Sequence, residues 1–355
     1  DGAVSSDATS TATVDALSIG GAAAVSTGEL TLSLSGAGAG TTNTIDNAIT
    51  AQVSQGAVIT TTNNATVAVT ATDDSMIKAD SGGFAMAASR GSSTGIAASV
   101  GASVAVNQIG KGRGHSVQAL VDGATINSEG DVTIAASSDA TIDGLSFAGA
   151  VAAAGSANGL SVALAGSGTA IKNKIKMTIG AAIQNGGDVQ TDADVSVSAT
   201  DDSKIKADAG AVCLSISASS GVAGAVSVGG AIADNDIRNS VTATVDNGIV
   251  DAKALTLNAT STTKIDTFGL TGTVSVAVGG GGALSGAAAG TEVTNTIENT
   301  IQAYIQNDSD IDTHQDISLL ANDHSTIETF AIGGSIAISG GSGSGSAAIG
   351  TVILD

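Results

Sequence analysis

Aspartates are the residues of this chain best suited to chemistry. They gather at two phases of a repeating pattern. Asp73-Asp74 and Asp201-Asp202 stand at one; Asp188, Asp192, Asp194, Asp308, Asp310, Asp312 and Asp316 stand further upstream. Carboxylates grouped in turns can supply the roughly six to eight oxygens that calcium takes. Asp73, Asp74, Asp201, Asp202, Asp310 and Asp312 are therefore the candidate calcium ligands. The glycine-rich nonapeptide that binds calcium in other β-rolls is absent, so solvated corner charges and no resident cofactor are the plainer expectation. Ser75-Met76-Ile77-Lys78 has the spacing of a Ser-x-x-Lys nucleophile, but that motif needs a helix to bring both side chains to one face. The stretch reads instead as strand or corner. His115, His314 and His324 occupy unrelated repeat positions, and Cys213 lies in the apolar run Ala211–Ile216, where a small buried hydrophobe is expected. No enzyme activity is expected.

The element that must position these residues is a repeat. Ala71-Thr72-Asp73-Asp74-Ser75-Met76-Ile77-Lys78-Ala79-Asp80 recurs almost unchanged as Ala199-Thr200-Asp201-Asp202-Ser203-Lys204-Ile205-Lys206-Ala207-Asp208. Weaker copies set anchors at Val14, Ile77, Ile142, Ile205, Ile265 and Ile327, separated by 63, 65, 63, 60 and 62 residues. An asparagine marker keeps the same beat at Asn43, Asn107, Asn173, Asn235 and Asn295. Two markers in register define one elongated array over 1–355, of about 5.5 repeats of 60–65 residues, whose apolar faces are buried by stacking neighbours.

Composition narrows the core and the partners. Aromatics make up 1% of the chain, Trp and Pro are absent, and there are 48 Gly. Stability must then come from backbone hydrogen bonding and from sheets approaching closely on small side chains. The formal net charge of −21, from 33 acidic and 12 basic residues, excludes a nucleic-acid partner, because phosphate binding needs clustered Lys and Arg. The basic cluster Lys111-Gly112-Arg113-Gly114-His115 reads as a protruding loop. No continuous apolar stretch of about 18 residues is present, so no membrane span is expected.

Apolar residues alternate within each repeat, as in Leu160-Ser161-Val162-Ala163-Leu164 and Val274-Ser275-Val276-Ala277-Val278. Period two signifies strands with one face in and one out. Corners such as Asn185-Gly186-Gly187 and Asp246-Asn247-Gly248 punctuate them, and no amphipathic helical window exists. The expected fold is all-β, a β-solenoid (β-helix) with Ala/Gly-rich strands and coils of about 21 residues, three per repeat, rising on the order of 80 Å at strand spacing. The alternative is a stack of long antiparallel β-hairpins, with Thr141–Gly155 and Leu160–Ile175 as arms joined by Ser156-Ala157-Asn158-Gly159. At three coils per repeat the marker asparagines lie too far apart for direct amide stacking, so each is expected to cap a turn.

Asp1-Gly2-Ala3-Val4 aligns with Glu129-Gly130-Asp131-Val132, and Gly350–Asp355 aligns with Gly290–Asn295. The array is therefore expected to continue past both, by the same polypeptide or by end-to-end self-association through open strand edges. The Ala/Gly-rich strands, the Asn-x-Ile-x-Asn marker, Asp131-Val132-Thr133-Ile134-Ala135-Ala136 and the turns Ala119-Leu120-Val121, Ala243-Thr244-Val245 and Ala303-Tyr304-Ile305 together resemble the repeats of giant bacterial filamentous adhesins of the haemagglutinin and leukotoxin-like type. The resemblance covers essentially the whole chain and transfers no catalytic residue. It implies an extracellular or cell-surface structural and adhesive fibre on a bacterial-type cell, meeting a surface receptor or glycan. A calcium-dependent binding module is the alternative.

Overall fold

The computed structural model describes residues 2–110 and 115–355. The expected loop at Lys111–Gly114 and a continuation across Asp1 fall outside these residues. One repeat suffices to describe the path. Val132–Ser138 leads into a long outgoing arm, Thr141–Ser156, which turns at Ala157–Gly159 and comes back as Leu160–Ile175. Two shorter strands, Thr178–Gln184 and Asp188–Thr191, complete the repeat. The next strand, Asp194–Asp201, then lies parallel to Val132–Ser138, with Val195 beside Val132 and Ala199 beside Ala136.

This geometry overturns both fold expectations. Every strand pairing between described residues is parallel, so there are no stacked antiparallel hairpins. Each residue pairs with its counterpart a whole repeat away: Val14 with Ile77, Ile77 with Ile142, Ile142 with Ile205, Ile205 with Ile265 and Ile265 with Ile327. A coil of about 21 residues does not exist, and the 63-residue beat advances the stack by one strand spacing rather than three. The six rungs therefore rise only about 24 Å, at about 4.8 Å each. The sheets, of six, ten, five and five strands, form a nearly closed, barrel-like wall round one apolar core.

That core is built from columns of β-branched residues. Ile77, Ile142, Ile205 and Ile265 are buried, as expected of inward-facing anchors, and they join Ile109, Ile126, Ile134, Ile179, Ile183 and Leu257 in one cluster. Ile327 in the last described rung is 45% exposed. The difference is one of position: a residue packed between two rungs is covered on both sides, and a residue in the final rung on one. Corners follow the turn residues. Asn185, Asn247 and Asn307 adopt left-handed backbone (φ 54°, 51° and 54°), a region asparagine enters more readily than most residues. The Asn185 and Asn307 amides donate to Asp122 and Asp246 in the rungs before them, each at 2.6 Å.

The two arms form a separate, thinner body, here called the blade. They face one another as two layers rather than pairing edge to edge. Their facing side chains are almost all Ala, Ser, Thr and Gly. At Gly83 a Cβ would come 2.0 Å from the Ala102 carbonyl oxygen, and at Gly20 2.1 Å from that of Gly38. No side chain fits at either point, which is why glycine stands there.

Candidate functional site

Two buried polar systems run along the stack, and both trace to the one-rung offset. The first is an asparagine ladder. Asn43 donates through Nδ2 to Asn107 Oδ1 at 2.8 Å, Asn107 to Asn173 at 2.9 Å, Asn173 to Asn235 at 2.8 Å, and Asn235 to Asn295 at 2.8 Å. The expectation of isolated turn caps is therefore wrong. It assumed three strand spacings between copies, whereas there is one, the distance at which identical amides stack and bond. Asn107, Asn173 and Asn235 are at most 1% exposed. Thr267 closes the ladder sideways, accepting from Asn235 and donating to Asn295, each at 2.9 Å.

The second system lines the corner where the candidate aspartates sit. Ser10, Asp73, Ser138, Asp201, Ser261 and Asp323 form one column. Facing it across the core stand Asn47, His115, Met177, Asn239 and Asn299. Asp73 is fully buried and accepts from Ser75 Oγ at 2.6 Å and from His115 Nε2 at 2.8 Å. The main-chain N–H of Asn47 donates to His115 Nδ1 at 3.1 Å, which puts the ring proton on Nε2. Asp201, also fully buried, accepts from Ser203 Oγ at 2.5 Å and from Asn239 Nδ2 at 2.8 Å. Each buried carboxylate thus finds its donors within its own rung, as burial of a charged group demands.

Sequence reasoning missed this Asp73–His115 pair, yet a signal was present. The residue two after the marker isoleucine is Asn47, Met177, Asn239 and Asn299 in the other repeats. The Lys111–Gly114 insertion displaces the equivalent of Asn47 to His115, so the histidine is the asparagine column in disguise.

The candidate calcium ligands do not converge. Strand alternation sends Asp73 inward and Asp74 outward, and Asp201 inward with Asp202 on the other face. Thr262 Oγ1 donates to Asp202. Asp310 and Asp312 are exposed on the short strand Asp310–Thr313, the second beside Asp251 of the preceding rung. Among the described residues no group of three or more His, Cys, Asp or Glu could hold a metal ion. Ser75 and Lys78 likewise part company, the serine buried and the lysine exposed on the opposite face. Ser75 Oγ is bonded to a carboxylate instead of a base nitrogen, so nothing there activates it for attack. His314 and His324 are exposed. Cys213 is 4% exposed inside the blade, its Sγ 3.0 Å from Ser167 Oγ and from the Val228 carbonyl. Burial pushes its thiol pKa up, against the hydrogen bonds, so it stays protonated at neutral pH.

Asp201 carries a testable electrostatic signature. Burial pushes its carboxyl above the ordinary 3.8, outweighing the donors Ser203 and Asn239 that pull the other way. As pH rises from about 4, the unfolded chain ionises this group before the folded chain does. The folded state then holds more protons, so Asp201's contribution to stability is fully present below the unfolded pKa and is lost as pH rises through the folded one. The urea midpoint of wild type should fall relative to that of Asp201→Asn across this window. Parallel profiles for the two proteins would contradict the assignment.

Outside the core, the blade presents the other distinctive surface. Its outer faces carry Leu145, Phe147, Ile216 and Phe268 on the outgoing layer and Leu160, Leu164, Val226 and Val228 on the returning one, all between 37% and 53% exposed. Phe268 and Phe330 stack with ring centroids 5.8 Å apart. No helix in the described chain is long and apolar enough to cross a membrane. Comparison with family models, with curated proteins and with solved structures returns no match, so the likeness to filamentous adhesin repeats rests on the sequence motifs alone.

Proposed function

We propose that this chain is a structural and adhesive protein of the extracellular or cell-surface kind, a rigid stack that presents surfaces to a receptor or glycan and performs no catalysis. The observation that carries this reading is the way its polar groups are used. The buried asparagines, His115 and the carboxylates bond to one another along or across the rungs, which secures register. Ser75, Cys213 and His115 are buried in hydrogen bonds, and Lys78, His314 and His324 are exposed apart from them, an arrangement suited to a scaffold. The acidic surface, at −21, keeps such an element soluble and away from nucleic acid. A second copy would add through the open ladder edges of the first and last described strands.

The test separates a scaffold from a calcium-dependent module. A stack held by parallel ladders and buried amide bonds should melt at the same temperature with and without excess chelator, and should appear by electron microscopy as rods that lengthen in steps of the stack. A melting temperature that falls by ten degrees or more on chelation, and recovers with calcium, would replace this reading with the calcium one.

A further inference from the structure

The blade has its polarity reversed. Between its layers lie Ala, Ser and Thr: Ser81 bonds Ser103, Thr169 donates to Ser146 at 2.5 Å, Ser161 bonds Ser217, and Thr291 donates to Thr271 at 2.9 Å. The large apolar side chains point outward, on both faces. The ladder registers define how far this extends. On the outgoing layer, no outward residue is charged from the row through Ile19, Phe147 and Gly210 to the row through Val25, Ala153 and Ile216. On the returning layer the uncharged rows run from Leu30, Leu160 and Val222 to Gly38, Gly168 and Gly230. These bands are about 20 and about 26 Å tall at about 3.3 Å per residue.

Charge is confined to the rims. Toward the core the outgoing layer carries the row Asp15, Lys78, Asp143, Lys206, Asp266 and Glu328, and the returning layer carries the pairs Lys172–Asp234 at 2.6 Å and Lys174–Asp236 at 2.8 Å. The free tip is built of Ser92-Ser93, Ala157-Asn158-Gly159, Ser220-Gly221, Gly280-Gly281 and Ser342-Gly343, with two charges at this end, Glu29 and the exposed Arg90 in the row through Thr27 and Gly155. Each interior strand of the blade is hydrogen-bonded on both sides, so the main chain exposes unpaired groups only at the first and last rungs.

We propose that the blade enters the hydrocarbon of a lipid bilayer tip first, with both faces against acyl chains and the charged rows at its base in the headgroup region. Strands that cross lipid show this alternation, apolar out and polar in, over an apolar band of about 25 Å. The returning band matches that height, and the outgoing band, bounded at the tip by Arg90, is about 5 Å shorter at the same rise per residue. One occupant covers both faces at once, whereas a second copy of the chain would cover one and leave the other in water.

The experiment uses the whole chain and vesicles of unsaturated phosphatidylcholine. Cys213 is buried, so single added cysteines can be labelled selectively. Ile216→Cys on the outgoing face, Val228→Cys on the returning face and Lys78→Cys at the base each receive a polarity-sensitive fluorophore. The protein should float with vesicles at high salt, with blue-shifted emission at positions 216 and 228 and unchanged emission at 78. The double variant Ile216→Asp/Val228→Asp, whose side chains face outward and leave the melting curve intact, should float at least tenfold less. Failure of wild type to float, or a shift on one face only, overturns the proposal. Shielding of both labels in buffer without lipid, with a larger sedimentation coefficient, overturns it in favour of association between copies.

Discussion

Replacing Asn173 with alanine is expected to destabilise the folded chain by about 2–6 kcal/mol, far more than the loss of one surface hydrogen bond. Asn173 accepts from Asn107 and donates to Asn235, and all three are at most 1% exposed. Its removal orphans a donor on Asn107 and an acceptor on Asn235. Each unsatisfied buried group costs about 1–3 kcal/mol, and the surrounding side chains are too tightly layered to admit a compensating water freely. Asn43 provides the internal control. It stands at the end of the ladder and makes a single bond, to Asn107, so Asn43→Ala should cost about half as much. Urea denaturation followed by circular dichroism checks both. Equal and small effects would mean that the amides do not bear on stability, and that the ladder is a passive consequence of the register.

The markers that define the register were legible in the sequence, and the rise between them was not. Val14, Ile77, Ile142, Ile205, Ile265 and Ile327 pair in order, but a period says nothing about how many strand spacings it spans. The arms caused the error. Thr141–Ser156 and Leu160–Ile175 account for 32 residues of a repeat without advancing the stack, and period alone makes them look like further coils. The same segments were seen as joined arms in the hairpin alternative, yet alternation alone cannot distinguish strands that pair edge to edge from strands that face one another. It is equally silent on which face is inside. Elsewhere in the chain the large residue marks the interior, as at Ile134 and Ile179, but in the blade the small one does, as at Ala152 and Ala163. The asparagine ladder is hidden for the same reason, because a 21-residue coil would hold successive marker asparagines three strand spacings apart instead of one. The acidic candidates failed for a different reason. Adjacent aspartates such as Asp73 and Asp74 lie on opposite faces of a strand, so a carboxylate pair in sequence becomes two separate carboxylates in space.

The position dependence of the isoleucine column should give the largest single effect of all. Ile205 is 1% exposed and sits between Ile142 and Ile265 in a column that closes the core at the root of the blade. Aspartate in its place forfeits about 1.5–3 kcal/mol of side-chain burial, leaves a cavity, and brings a carboxylate into a site flanked by apolar neighbours with no donor of its own. Together these place Ile205→Asp on the order of 5 kcal/mol, among the most severe point substitutions. Ile327→Asp is the same chemical change in the same column. There the residue is 45% exposed and has a rung on one side only, so the carboxylate reaches water and the cost should stay within about 1 kcal/mol. Thermal melts of the two variants measure the contrast directly. A comparable loss at both positions would show that the column stabilises through strand propensity at each rung, whereas a steep difference identifies burial between rungs as the force that holds one repeat over the next.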